Sequence, residues 1–185
     1  MSLFANIIDL EATCWDGNPP PGMTNEIIEI GICTIDLETL ERAEKRSIVI
    51  KPMHSSISEF CTELTGWTQA DVDAGMTFAQ ACKILERDYQ SHTRTWLSWG
   101  EYDRKQLERE SAAKGVRNPV GKNHINAKAV FGRARNHGKK LGMDGAIRLL
   151  GWELEGRHHN GADDAWNIAR IVAELLRANQ LELPA

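Results

Sequence analysis

The chain has 185 residues, a formal net charge of −4, 42% hydrophobic residues and 26% charged residues. It is long enough for one domain, residues 1–185, whose core needs no disulfide or structural metal, and its acidic balance excludes a protein that coats nucleic acid by bulk charge. Cys14, Cys33, Cys61 and Cys82 lie far apart with no Cys-x-x-Cys pair, and no apolar run is long enough for a signal peptide or a membrane span, so a reducing, cytoplasmic compartment is expected.

The first element is a strand over Asn6–Thr13 in which Asp9 and Glu11 are spaced by two. Strand geometry puts both carboxylates on one side with Ile7, while Ile8, Leu10 and Ala12 face the other. Two carboxylates sharing a patch on a buried strand repel and lose hydration unless a shared proton, a basic side chain or a divalent cation neutralises them. The alternative is an edge strand whose acidic face meets water. Residues 14–23, with Gly17, Pro19, Pro20, Pro21 and Gly22, form a loop. Two further strands follow, Glu26–Ile35 and Lys45–Pro52, with a turn over Asp36–Glu41, and the three together predict an antiparallel meander.

From Ser58 to Ala74 the pattern is helical but broken at Gly66, with Thr68 placed to cap a short turn through Asp71. Thr77 caps a stronger helix that ends at Tyr89, and its stripe is Phe78, Ala81, Cys82, Leu85 and Tyr89. Thr95–Trp99 reads as a short buried strand, Gly100 breaks it, and a polar helix runs from Tyr102 to Lys114. A weak strand over Lys122–Asn126, helices over Ala127–His137 and Met143–Leu150, and a long helix over Asp163–Asn179 complete the chain. Strands first and strand–helix units later predict an α/β domain, a mixed sheet of about five strands flanked by helices.

Asp164 leads the apolar stripe Ile168, Ile171, Val172 and Leu175 of the last helix, so its carboxylate belongs to the buried side, whereas Asp163 fits the ordinary role of a helix-start acid. His159 precedes Asp164 by five residues in a flexible segment and can reach the same place; His158 reads as a surface histidine. Asp103 follows the Trp96–Trp99 strand at the same end as Asp9 and Glu11 if the two strands are parallel, and ligand sites in open α/β sheets gather at that end. Four acids and a histidine suit a two-metal phosphoryl site, where cations roughly 3.5–4 Å apart activate water and stabilise the departing oxygen. Between Ser111 and Met143 the chain carries no acid but eight cations, Lys114, Arg117, Lys122, Lys128, Arg133, Arg135, Lys139 and Lys140, which reads either as a surface for a phosphate backbone or as a solvated face.

These motifs resemble the DEDD-type 3′–5′ exonucleases of the ribonuclease H-like fold, in their histidine-containing branch: Ile-Asp-Leu-Glu-Ala-Thr over 8–13, the strand-Gly-Glu-Tyr-Asp junction ending at Asp103, and His-Asn-Gly-Ala-Asp-Asp-Ala over 159–165. The segments Asn25–Gly31, Phe60–Gly66 and Asn167–Ile171 resemble the exoribonuclease subgroup that trims small RNAs, histone messenger 3′ ends and ribosomal RNA. The resemblance implies two divalent ions, Mg2+ or Mn2+, with Asp9 shared, Glu11 and Asp164 on the nucleophile side and Asp103 on the second ion through water. It implies His159 as general base, and Ala12, Thr13, Phe60, Leu64, Thr65 and Trp67 around the terminal bases. It further implies a nucleic-acid substrate with a single-stranded 3′ end, RNA favoured over DNA, with neither a membrane nor an obligate protein partner. A DNA exonuclease of the same fold is the alternative, followed by two others. A haloacid dehalogenase-type phosphatase is echoed by Asp9-x-Glu11-x-Thr13 but wants Asp as its second acid. A non-catalytic nucleic-acid adaptor would be expected to have lost motif acids.

Overall fold

The computed structural model describes residues 3–136 and 141–184. Five strands, β1 (Phe4–Ala12), β2 (Ile27–Asp36), β3 (Arg42–Val49), β4 (Trp96–Ser98) and β5 (His124–Asn126), form one mixed sheet in the order β3-β2-β1-β4-β5. The pairs β1/β2 and β2/β3 are antiparallel, and β1/β4 and β4/β5 are parallel. β1 is therefore the central strand, which removes the edge-strand reading of its two acids.

Alternation along β1 divides the core. Ala5 and Ile7 pack under α5 (Ala127–Ala134), α6 (Met143–Leu149) and α7 (Gly161–Arg177), while Ile8 and Leu10 pack against α3 (Phe78–Tyr89) and Leu107 of α4 (Tyr102–Ala113). Two short helices, α1 (Glu59–Thr65) and α2 (Gln69–Asp73), dock through Cys61 and Val72 on Ile28. Their starts follow the capping logic: Ser58 accepts from Cys61 N–H, and Thr68 and Asp71 form a reciprocal capping box.

Most element ends shift by one or two residues from expectation, and two of the shifts have a physical reason in the fold. β3 spans Arg42–Val49 rather than Lys45–Pro52 because it is an edge strand whose first half is polar and solvent-facing, so apolar patterning registers only its end. A register irregularity between Ile32 and Thr34 accompanies Glu44 at φ 50°, which twists this edge. α7 begins two residues before the expected start because Asn160, not a residue nearer Asp163, is the N-cap, accepting from Asp163 N–H at 3.1 Å. The end of the helix expected over Ala127–His137 and two cations of the basic run, Lys139 and Lys140, lie outside the described residues.

Candidate active site

Two glycines set the site. Asp9 pairs with Gly31 across β1/β2, and α7 crosses the sheet at that point through Gly161. A methyl group on Gly31 would overlap the Gly161 carbonyl, so absence of a side chain lets the helix start touch the sheet backbone. Three residues further into the helix, Asp164 arrives beside Asp9 and Glu11: one carboxylate oxygen from each lies within 4.8 Å of the others. Asp103 joins from α4. β4 is only three residues long, so the Leu10 amide runs past its end and donates instead to Asp103 Oδ1 at 3.1 Å. That bond leaves Asp103 beside the cluster rather than inside it.

The electrostatics follow from four carboxylates in a space with little water. Burial pushes Asp9 well above the usual carboxylate range, and Asp103, Asp164, Glu11 and Glu29 all push it further in the same direction. Glu11 rises to about 8, by burial first and then by Asp164, Glu29 and Asp103, with Arg157 as the opposing charge. Burial raises Asp103 to about 6 although the Leu10 amide and the Ser98 hydroxyl favour its ionised form. Asp164 is raised by burial against the opposing pull of His158 and the His159 amide. Every influence resolved on Asp9 penalises its charge, so the ionised cluster needs cations, and an all-oxygen donor set is what hard divalent ions prefer. The residues present fit such ions.

Both histidines belong to this site. His159 adopts φ 62°, its amide donates to Asp164 Oδ2 at 3.0 Å, and burial with the neighbouring His158 and Arg157 holds its imidazole below the ordinary range. His158 corrects its expected surface role: Nδ1 lies 3.0 Å from Asp164 Oδ2, and the ring stacks on His159 with centroids 4.0 Å apart. Asp163, by contrast, keeps to the helix start, where it pairs with Lys45 and accepts from the Arg157 amide at 2.7 Å.

Of the residues expected around a terminal base, Phe60 is exposed and Leu64 and Trp67 are half-buried on and just after α1. Ala12, Thr13 and Thr65, expected there too, have enclosed side chains. The Thr13 hydroxyl bonds to Thr24 O and the Glu26 amide, and that of Thr65 bonds to Cys61 O, so these side chains hold the end of β1 and the end of α1 in shape. Sequence reasoning missed Glu29. It is fully buried opposite Glu11 and accepts from the Ser47 hydroxyl (2.6 Å), Trp67 Nε1 (2.8 Å) and the Gly161 amide (2.9 Å), which ties the α1 segment to the start of α7. A carboxylate in the middle of an isoleucine run was the available signal, because a charge so placed must be met by donors.

The exonuclease (RNase_T) family model matches residues 7–172, a span that contains every residue of this cluster. The chain belongs to the exonuclease family. It is 33% identical to human 3'-5' exoribonuclease 1 over 92% of its own length, which is 52% of that protein, and 28% identical to the Drosophila melanogaster 3'-5' exonuclease Snipper over 94% of its length and 69% of that protein. The chain thus spans about half the length of the human relative. Among solved structures, the nuclease domain of 3'hExo, described as a DEDDh family member bound to rAMP, superposes with a TM-score of 0.87 at 30% identity, covering 99% of this chain and 96% of that one. A structure described as 3'-end specific recognition of histone mRNA stem-loop by 3'-exonuclease gives 0.86 at 29% identity, over 98% of this chain and 85% of that one. The five-stranded mixed sheet is the ribonuclease H-like fold of these neighbours.

Proposed function

We propose that the chain is a divalent-metal-dependent 3′–5′ exonuclease, a single domain that hydrolyses single-stranded or overhanging 3′ ends to nucleoside 5′-monophosphates, with RNA favoured over DNA. The observation that carries this reading is the convergence of Asp9, Glu11 and Asp164 within 4.8 Å, with Asp103 alongside. The RNA preference is supported by the similarity to human 3'-5' exoribonuclease 1 and to the 3'-exonuclease that recognises the histone mRNA stem-loop. Bound Mg2+ or Mn2+ would neutralise the cluster and polarise the scissile phosphate. Asp9 would be shared between two such ions, with Glu11 and Asp164 helping to hold one and Asp103 the other.

The remaining chemistry belongs to side chains. A depressed imidazole is neutral at neutral pH, so His159 is ready to accept the proton of the attacking water. Phe60 and Leu64 offer an apolar face to the terminal base, and stacking of this kind tolerates any sequence. The chain's acidic charge leaves the backbone to local cations such as Arg117, Lys122 and Arg133, which are exposed. All four cysteines are free, which suits residence in a reducing, cytoplasmic compartment.

The test is an assay on end-labelled RNA and DNA, single and double stranded, with magnesium or manganese and with excess chelator. Stepwise shortening of single-stranded RNA that chelator stops, and that Asp9→Ala abolishes in a folded chain, is the expected result. Undiminished hydrolysis in chelator would overturn it.

A further inference from the structure

His159 is held by few contacts of its own. Its ring stacks on His158 and its amide donates to Asp164, so its position is set by the backbone of residues 156–160. On the α7 side that backbone is fastened to carboxylates: the Arg157 amide to Asp163 and the His159 amide to Asp164. Outside α7, the hydrogen bonds of residues 156–160, among the described residues, come from one side chain. The Arg157 guanidinium donates through Nη2 to Glu63 O at 3.1 Å and Leu64 O at 3.5 Å, carbonyls in the last turn of α1.

The end of α1 is shaped to receive it. Helix carbonyls in the last turn lack intrahelical donors and carry the negative end of the dipole, so a guanidinium is a favourable cap there. Gly66 closes the helix at φ 85°, and a Cβ at that position would overlap Arg157 Nη1. The same turn carries Leu64, with Phe60 one turn earlier on the surface. Glu29 meanwhile fixes Trp67 relative to the first amides of α7, so the start of the helix is anchored and the loop between is the adjustable part.

We infer that Arg157 is a positioning residue that couples the apolar face of α1, Phe60 and Leu64, to His159, so that a terminal base seated on that face sets the histidine for proton transfer. This rests on the exonuclease reading given above. A substrate is then hydrolysed fastest when its last base rests on that face, because base seating and placement of the histidine share one strut.

The test compares the parent chain with Arg157→Ala and Arg157→Lys in two measurements. The first is amide hydrogen exchange on the metal-free chain: Arg157→Ala is expected to speed exchange of residues 158–160 by about tenfold while the amides of β1 and β2 and the melting temperature hold. The second uses single strands ending in an ordinary or an abasic 3′ nucleotide. Arg157→Ala is expected to lower kcat by roughly 10- to 100-fold, the scale of a misplacement near 1 Å, with much less change in KM. In the parent, removal of the terminal base lowers kcat; in Arg157→Ala it lowers kcat no further, the non-additivity expected of coupled groups. Lysine restores part of the effect, since it supplies charge without the planar fork. Unchanged exchange with unchanged kcat would overturn the inference, and so would a rise in KM alone, which would make Arg157 a phosphate contact. An inactive parent would strike the exonuclease reading instead, and the exchange measurement would still decide whether Arg157 holds the loop.

Discussion

His159 and His158 stand one residue apart and act on the same carboxylate by different atoms, the first through its backbone amide and the second through its ring. Their substitutions should therefore separate. On the exonuclease reading His159 is the proton acceptor, so His159→Ala should lower the rate by about 10²–10⁴-fold. It should also abolish the acid limb of the pH–rate profile, which in the parent lies below the ordinary imidazole value of 6.5 because burial and two neighbouring basic groups disfavour the charged ring. His158→Ala should keep that limb but raise the metal concentration needed for half-maximal activity, since Asp164 loses its fixed orientation. Steady-state rates across pH and across manganese concentration check both. Asp9→Asn tests the cluster itself: in chelator it should raise the melting temperature, at about 2–4 °C per kcal/mol for a chain of this size, while abolishing activity in metal.

At the scale of elements, the site depends on how closely α7 approaches the β1/β2 pair. Gly31→Ala should force the two apart at a cost of about 1–3 kcal/mol or more and displace Asp164 from Asp9, which thermal melts and activity both read. Gly145→Ala is the control, because the added methyl would meet Leu141 only at ordinary contact distance in α6 and should be neutral or slightly stabilising. Local features of this packing are written in the sequence, and cross-fold ones are not. The alternation of Ile8 to Ala12 in β1, the stripe of α7 and the caps Thr68 and Thr77 are local and were legible, and with them the positions of the four acids and His159. The polar edge strand β3, the enclosure of Thr13 and Thr65, and the contact of His158 with Asp164 depend on what lies across the fold, which spacing along the chain does not carry.

For the whole molecule, the shifted acids make stability depend on pH in a direction that metal should reverse. Glu11 at about 8 and Asp103 at about 6 lie above their ordinary values of 4.5 and 3.8, so each favours the folded state when protonated, and that contribution is lost as pH rises through the folded value. In chelator the melting temperature should fall between pH 5 and pH 8, and magnesium should flatten the fall by stabilising the ionised cluster. A melting temperature that rises over that interval would contradict the electrostatics. Glu26 works in the opposite sense: burial alone would raise it, but the amides of Met53, His54 and Ser55 together with Lys114 lower it to about 2, so its contribution is lost only on acidification below pH 4.5. The central claim is that this cage hydrolyses from a free 3′ end. The most direct measurement sets a 5′-labelled linear single-stranded RNA against a circular one of the same sequence in magnesium, with a 3′-phosphorylated linear strand as a third arm. Progressive shortening of the linear strand to nucleoside 5′-monophosphates, with the circle intact and the phosphorylated strand slowed, is the predicted result; cleavage of the circle at the rate of the linear strand would contradict it.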